Sequence, residues 1–316
     1  MPTPICAALS APDAGRGAGE LLFLGTGSAS PSKYRNVSAI LLSLPRGGLL
    51  MDCGEGTYAQ LVRRYGVGGT AALLRRLRCI FITHMHADHT LGLAELLVQR
   101  RQAFASSPDE AAEPAPAVFS GAAAWPWWPW SESAAPPGSV PASVDTAPTA
   151  GAAAAGGERS AEDILIAAPT QLGQWLRRYH ATVEAILPAG GTTTFCPNAA
   201  LTPDAHRRRY GRGPEGFETP VASRARQAAD AFSQGVLGVT MRCCDVDHPA
   251  HSSGLILTAN AEGGGVGWKL VYSGDTRPCR ELCAAGQGAT VRPPSHQTVW
   301  PDLAWSLLLN RVDSQD

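Results

Sequence analysis

At 316 residues with 44% hydrophobic side chains, the chain is long enough for one large or two ordinary domains with a buried core. A formal net charge of −1 excludes a protein that is basic overall, so contact with nucleic acid must come from local clusters such as Arg63-Arg64, Arg75-Arg76-Arg78, Arg177-Arg178 and Arg207-Arg208-Arg209. The eight cysteines form no C-x-x-C pair and no spacing of a small disulfide-framed domain, which indicates a reducing compartment, and no apolar run approaches the length of a membrane span.

Residues 1–19 are small, with proline and glycine, and read as a loose leader lacking the basic start and apolar middle of a signal peptide. Leu21-Leu22-Phe23-Leu24 reads as a first strand and Gly25-Thr26-Gly27-Ser28 as a tight turn. Pro31 to Ser38 is a loop offering two cations, Lys33 and Arg35, beside Asn36 and several hydroxyls; RNA phosphate contact and a solvated connection are both open readings. A strand from Ala39 to Leu44 turns at Pro45-Arg46-Gly47-Gly48 and returns as Leu49-Leu50-Met51, ending at Asp52-Cys53-Gly54-Glu55-Gly56. Thr57 to Tyr65 has the composition of a helix stopped by Gly66, and Thr70 caps another over Ala71 to Leu77. Cys79-Ile80-Phe81-Ile82 is a buried strand, and Leu91, Leu93, Leu96 and Leu97 outline a helix face.

From Ala103 to Gly157 alanine, proline, serine and glycine dominate, with a cluster of Trp125, Trp127, Trp128 and Trp130. Such a stretch buries too little surface to offset its ordering entropy and reads as a disordered insertion; its few cations make it a poor grip for a phosphate backbone. Asp163 to Ala167 is the next strand, stopped by Pro169. Leu172, Trp175, Leu176 and Tyr179 recur at i, i+3, i+4 and i+7, which predicts an amphipathic helix over 171–179 with Trp175 in the core. Residues 188–220 read as a loop, 222–233 as a helix and 236–246 as a strand leading to Asp247-His248-Pro249-Ala250-His251. A hairpin of 255–259 and 268–272 around Gly263-Gly264-Gly265 ends at Ser273-Gly274-Asp275-Thr276. The order of elements is mixed α/β, with Asp52, His84, His248 and Asp275 each just beyond the C-terminal end of a strand.

The densest chemistry is Thr83-His84-Met85-His86-Ala87-Asp88-His89, with three imidazoles and a carboxylate in a strand-to-helix turn. Imidazole nitrogen and carboxylate oxygen suit zinc and other divalent first-row ions, manganese included. Four ligands so close together exceed what one tetrahedral ion takes from a short turn, and two neighbouring ions with a carboxylate arriving from a distant strand end solve this more simply. Asp52 reads as a loop anchor that hydrogen-bonds the histidine turn.

His84-Met85-His86-Ala87-Asp88-His89 resembles the H-x-H-x-D-H signature of the metallo-β-lactamase superfamily. Phe23 to Ser28, Pro31 to Ser38, Asp52 to Thr57, Trp175-Leu176-Arg177-Arg178-Tyr179 and Tyr272 to Cys279 narrow the resemblance to ribonuclease Z, or tRNase Z, in particular the catalytic half of the long eukaryotic form. It spans 20–291 apart from the insertion at 103–157. The resemblance implies a four-layer αβ/βα sandwich and an endoribonuclease that removes the 3′ trailer from precursor tRNA. It implies one zinc on His84, His86 and His248 and a second on Asp88 and His89, bridged by Asp275, with a bridging hydroxide attacking phosphorus. Asp88 and His251 are then the catalytic candidates, Lys33, Arg35 and Asn36 the substrate contacts, and precursor tRNA the partner. Family members of the long type work in nucleus and mitochondrion.

The resemblance ends at Val291. The family continues with a His-Glu-Ala-Thr segment and a later histidine that completes the second zinc site, whereas 292–316 is an unrelated tail in which His296 has no supporting context. The expectation is therefore an incomplete second half, a weakened second metal and impaired turnover. Two other functions stay open: another hydrolase of the superfamily, acting on a small phosphodiester or a thioester, and a non-catalytic isoform that binds tRNA or a partner.

Overall fold

The computed structural model describes residues 19–106, 159–207, 219–260 and 266–289. The leader, the tryptophan-rich stretch, the Gly263–Gly265 turn, His296 and the tail lie outside the described residues. The described residues of 19–106 and from Ser160 onward fall in one compact unit.

Six strands follow one another across the first sheet in chain order: β1 (Glu20–Gly25), β2 (Ala39–Leu44), β3 (Gly47–Met51), β4 (Leu77–Phe81), β5 (Ile164–Ala168) and β6 (Thr193–Pro197). The β1–β2 and β2–β3 pairs are antiparallel; from β3 onward the neighbours are parallel. Strands β3, β4 and β5 are buried along their whole length, as parallel strands covered on both faces must be, which is why they read as unbroken apolar runs. A second sheet holds β7 (Thr240–Asp245), β8 (Ser253–Asn260) and β9 (Val266–Tyr272), all antiparallel.

Side chains alternate between two cores. Ile40, Leu42, Leu49, Met51, Phe81, Leu165 and Ala167 face the second sheet, where they meet Met241, Cys243, Leu255 and Leu257. Leu41, Leu50, Ile80, Ile82, Ile164 and Ile166 face the other way, into a core with helices α1 (Thr57–Arg76), α3 (Leu93–Ala105) and α4 (Thr170–Thr182). The short helix α2 (Ala87–Thr90) precedes α3, and α5 (Asn198–Leu201) and α6 (Pro220–Phe232) follow β6. Ile256 and Val271 on the outer face of the second sheet are covered by Leu282 and Ala285 of α7 (Arg280–Gly286). The layers run helix, sheet, sheet, helix, which is the expected αβ/βα sandwich.

Several local expectations need correction. Helix α3 continues to Ala105, so Ala103 is a buried helix residue. The expected loop at 188–220 contains β6, α5 and a 3-10 turn over Asp204–His206; β6 is a sheet edge in which only Cys196 is buried, so its sequence lacks an apolar run. Residues 57–76 form one helical stretch broken at Gly66 (φ 70°, ψ 175°), and Thr70 lies inside it, donating its hydroxyl to the Gly66 carbonyl at 2.6 Å. The strand expected from 236 begins at Thr240, because Ser233–Leu237 extends α6 as a π turn that stops at Gly238 in the left-handed region (φ 75°). Trp175 is 43% exposed rather than core; Leu172, Gly173 and Leu176 fill the buried stripe of α4, and Trp175 packs on Tyr179 with ring centroids 5.1 Å apart.

Candidate metal centre

Strands β3, β4, β7 and β9 end on one edge of the two sheets, and each is followed by a functional side chain: Asp52 after β3, His84 after β4, His248 after β7 and Asp275 after β9. Four contacts hold the connecting turns together. Ser253 N–H donates to the Thr83 carbonyl at 3.0 Å, Asp247 N–H donates to Thr276 Oγ1 at 2.9 Å, Arg277 N–H donates to the Asp247 carbonyl at 2.9 Å, and Asn198 Nδ2 donates to the Ile82 carbonyl at 2.8 Å. The His248 turn and the Asp275 turn are thereby fixed to each other, and the histidine turn is fixed to the second sheet.

Six donor residues converge from these turns. His84, His86, His248 and Asp275 present atoms all within 4.8 Å of one another, and so do Asp88, His89 and Asp275. His84 Nε2 and His248 Nε2 lie 3.0 and 3.2 Å from His86 Nδ1. Two nitrogens bound to a tetrahedral zinc at about 2.0–2.1 Å sit about 3.3 Å apart, so this spacing fits a metal. His89 Nε2 lies 3.6 Å from Asp88 Oδ2 and 3.4 Å from Asp275 Oδ2. Asp275 is the one carboxylate common to both groups.

Asp52, fully buried, fixes which ring nitrogens are free for a metal. Its carboxylate accepts from Thr83 N–H at 2.8 Å, from the Thr83 hydroxyl at 3.0 Å, from His89 Nδ1 at 2.7 Å and from the Tyr272 hydroxyl at 2.7 Å. Since the Thr83 proton goes to Asp52, Thr83 Oγ1 accepts from His84 Nδ1–H at 2.8 Å. Both His84 and His89 therefore keep a proton on Nδ1 and turn Nε2 toward the cluster. Burial, reinforced by His89 and His248, pushes His84 down to about 4, so the ring is neutral near pH 7. Burial also opposes a charge on His89, but Asp52 and Asp275 outweigh it and push that ring up to about 10; a metal entering there displaces a proton. Burial works against charge on Asp275 as well, yet its hydrogen bond to His89 and the His89 charge hold it below the ordinary carboxylate value.

The remaining sequence candidates are distributed unequally. Asp88 is buried and accepts from Ala29 N–H at 2.7 Å, with Ala29 in the left-handed region (φ 66°), so the loop after β1 touches the donor cluster directly. Lys33 and Arg35 are exposed at the tip of that loop, where Ser32 Oγ accepts from Tyr34 N–H and Arg35 N–H at 3.3 and 3.1 Å. Asn36 is turned inward: its side-chain amide lies against Gly56 and its Nδ2 is buried. His251 is exposed at a left-handed position (φ 72°) of the His248 turn and belongs to neither donor group. Tyr272, Thr83, Asn198 and Ala29 are not candidates by sequence: Ala29 reaches Asp88 through its backbone N–H, Asn198 and Tyr272 reach the Ile82 carbonyl and Asp52 from far along the chain, and Thr83 bonds Asp52 and His84 through its hydroxyl.

The chain is 32% identical over 302 residues to "tRNAse Z TRZ4, mitochondrial" of Arabidopsis thaliana and 30% identical over 281 residues to human "Zinc phosphodiesterase ELAC protein 2", covering 86% of this chain in both cases. Over that stretch the chain is similar to proteins named tRNase Z. It spans about a quarter of the length of these relatives, 26% and 24% respectively. The family model described as "Anti-Pycsar protein Apyc1" matches residues 19–111. Among solved structures, the long form RNase Z from yeast superposes with a TM-score of 0.55 at 18% identity, covering 83% of this chain and 30% of that one; this likeness is one of fold. The likeness to tRNase Z proteins, the helix–sheet–sheet–helix layering shared with the yeast structure and the two donor groups all point to this edge as a place that could hold metal.

Proposed function

We propose that this chain is the catalytic part of a zinc-dependent endoribonuclease that removes the 3′ trailer from precursor tRNA, carried by one metallo-β-lactamase-like domain over 20–291. The observation that carries the reading is the pair of donor groups sharing Asp275 at one sheet edge in a chain similar to proteins named tRNase Z. His84, His86, His248 and Asp275 would hold one ion, and Asp88, His89 and Asp275 the other. Bound there, two divalent ions supply activation of a water and neutralisation of charge on the phosphate oxygens. Imidazole-rich donor sets favour zinc, and manganese accepts the same atoms.

The chain's own residues do the rest. Asp52 holds the Nδ1 protons of His84 and His89 away from the cluster, and Ala29 N–H orients Asp88. Lys33 and Arg35, on the loop that also carries Ala29, bind RNA phosphates near the donor cluster, and His251 faces solvent on the opposite turn as a contact for the substrate. The Arabidopsis relative carries the word mitochondrial in its name, which supports the mitochondrion as compartment.

The test is cleavage of a trailer-bearing precursor tRNA by residues 1–316 with added zinc, beside the His86→Ala/Asp88→Ala double variant. Cutting at the trailer junction, lost in the double variant and on chelation, is the expected result. Hydrolysis of bis(p-nitrophenyl) phosphate with intact precursor tRNA would favour a small-substrate phosphodiesterase instead, and RNA binding without hydrolysis of either would favour a non-catalytic role. For the loop, Lys33→Ala and Arg35→Ala should each raise the KM for RNA and reduce the slope of log affinity against log salt by about 1. Unchanged slopes would remove both residues from the RNA contact.

A further inference from the structure

Beneath the donor cluster runs a continuous hydrogen-bonded chain that ties the two sheets together and reaches both donor groups. The Tyr272 hydroxyl gives its proton to Asp52, so Ser38 Oγ–H donates to Tyr272 Oη at 3.1 Å. Asp52 then branches. One arm goes directly to His89 Nδ1, in the group of Asp88, His89 and Asp275. The other passes through the Thr83 hydroxyl to His84 Nδ1, in the group of His84, His86, His248 and Asp275. All members except Ser38 are buried, so water cannot substitute for a lost link at little cost.

We propose that Thr83 and Tyr272 are positioning residues that act by different routes: Thr83 holds His84 directly and also donates to the Asp52 carboxylate that holds His89, whereas Tyr272 reaches both groups only through Asp52. The inference rests on the metal reading above and not on the identity of the RNA. Its basis is the topology of the bonds. Thr83 Oγ1 has one proton, directed at the Asp52 carboxylate whose two oxygens both lie at 3.0 Å, and its lone pair holds His84 Nδ1–H; without the hydroxyl His84 loses the partner that fixes its tautomer, and Asp52 loses one donor while keeping its bond to His89. Tyr272 comes from β9 and Asp52 from the end of β3, so this single bond also registers the second sheet against the first beside the cluster. The close approach of the two turns supports the same function: a Cβ on Gly274 would lie 2.6 Å from Thr83 Cγ2, so Gly274, in the left-handed region at φ 58°, holds the Thr83 side chain in place one residue before Asp275.

The experiment is titration of the metal-free full chain with Co²⁺, followed by its visible d–d bands, for wild type, Thr83→Val, Thr83→Ser and Tyr272→Phe. Thermal melts of the metal-free proteins run alongside. Two binding steps are expected in the wild type. Thr83→Val should weaken one step about 10- to 100-fold, altering its bands, and weaken the other by less, and Thr83→Ser should restore both. Tyr272→Phe, which keeps the ring and removes only Oη, should weaken both. Thr83→Val with two wild-type steps, or Thr83→Ser as impaired as Thr83→Val, would overturn the proposal. If Thr83→Val does not fold, Tyr272→Phe decides: weakening of both steps supports the proposal, and wild-type binding overturns it. A wild-type chain that takes up no cobalt overturns the metal reading itself, which separates that failure from failure of the relay. Precursor tRNA cleavage enters none of these readouts.

Discussion

Asp275→Ala is expected to remove both metal equivalents and with them RNA cleavage. The carboxylate belongs to both donor groups and is the shared donor of the cluster. Losing a hydrogen-bond partner one step behind a ligand costs about 10- to 100-fold in metal affinity, so losing a ligand from both groups at once should exceed about 100-fold at each. Fold should survive, because the side chain is 38% exposed and Asp52 still pairs with His89. Metal content after dialysis, together with turnover of precursor tRNA, checks this. Two retained ions per chain and normal turnover would mean that Asp275 is not the bridge.

Gly92→Ala is expected to lower the melting temperature of the metal-free protein by roughly 6–12 °C. Gly92 has an ordinary helical φ of −78°, so the reason for glycine is space and not conformation. A Cβ there would sit 2.1 Å from the Gly54 carbonyl oxygen, and a Cβ on Gly54 would sit 2.1 Å from the Asp88 carbonyl oxygen. The two backbones touch because Gly92 N–H donates to the Cys53 carbonyl at 3.0 Å and Cys53 N–H to the His89 carbonyl at 2.9 Å. Neither oxygen is the end of a flexible side chain, so the Asp52 loop must move away from the histidine turn. Overpacking of this kind costs about 3 kcal/mol, and 1 kcal/mol corresponds to about 2–4 °C in a domain of this size. Gly235→Ala is the control: no atom lies within 4 Å of its Cβ position, and its effect should stay within about 0.5 kcal/mol. A melt of Gly92→Ala that matches this control would refute the close-contact account.

The two variants probe different levels of the same site, and these levels differ in how far they can be read from sequence. The spacing of His84, His86, Asp88 and His89 is legible because those ligands lie on one turn, where chain geometry alone brings them together. Strand ends at Met51, Phe81, Asp245 and Tyr272 are legible because apolar runs stop there. Strand β6 is not, since an edge strand of mixed burial carries no apolar run, and Trp175 fits a helical stripe that Leu172 and Leu176 already fill. Asn36 looks in sequence like the neighbouring loop cations, but the approach of Gly56 turns it inward.

By itself the sequence determined the alternation that sorts each strand's side chains into two cores, and the candidate donors His84, His86, Asp88 and His89, because period-2 burial and short-range spacing are properties of the local chain. Only the tertiary structure decided which nitrogen of His84 and His89 faces the cluster, and it brings Asp275 within reach of both donor groups as the resemblance implies. Both depend on Asp52 meeting Tyr272 across 220 residues and on Asp275 arriving beside His89, contacts that no local pattern encodes because they exist only once both sheets have packed.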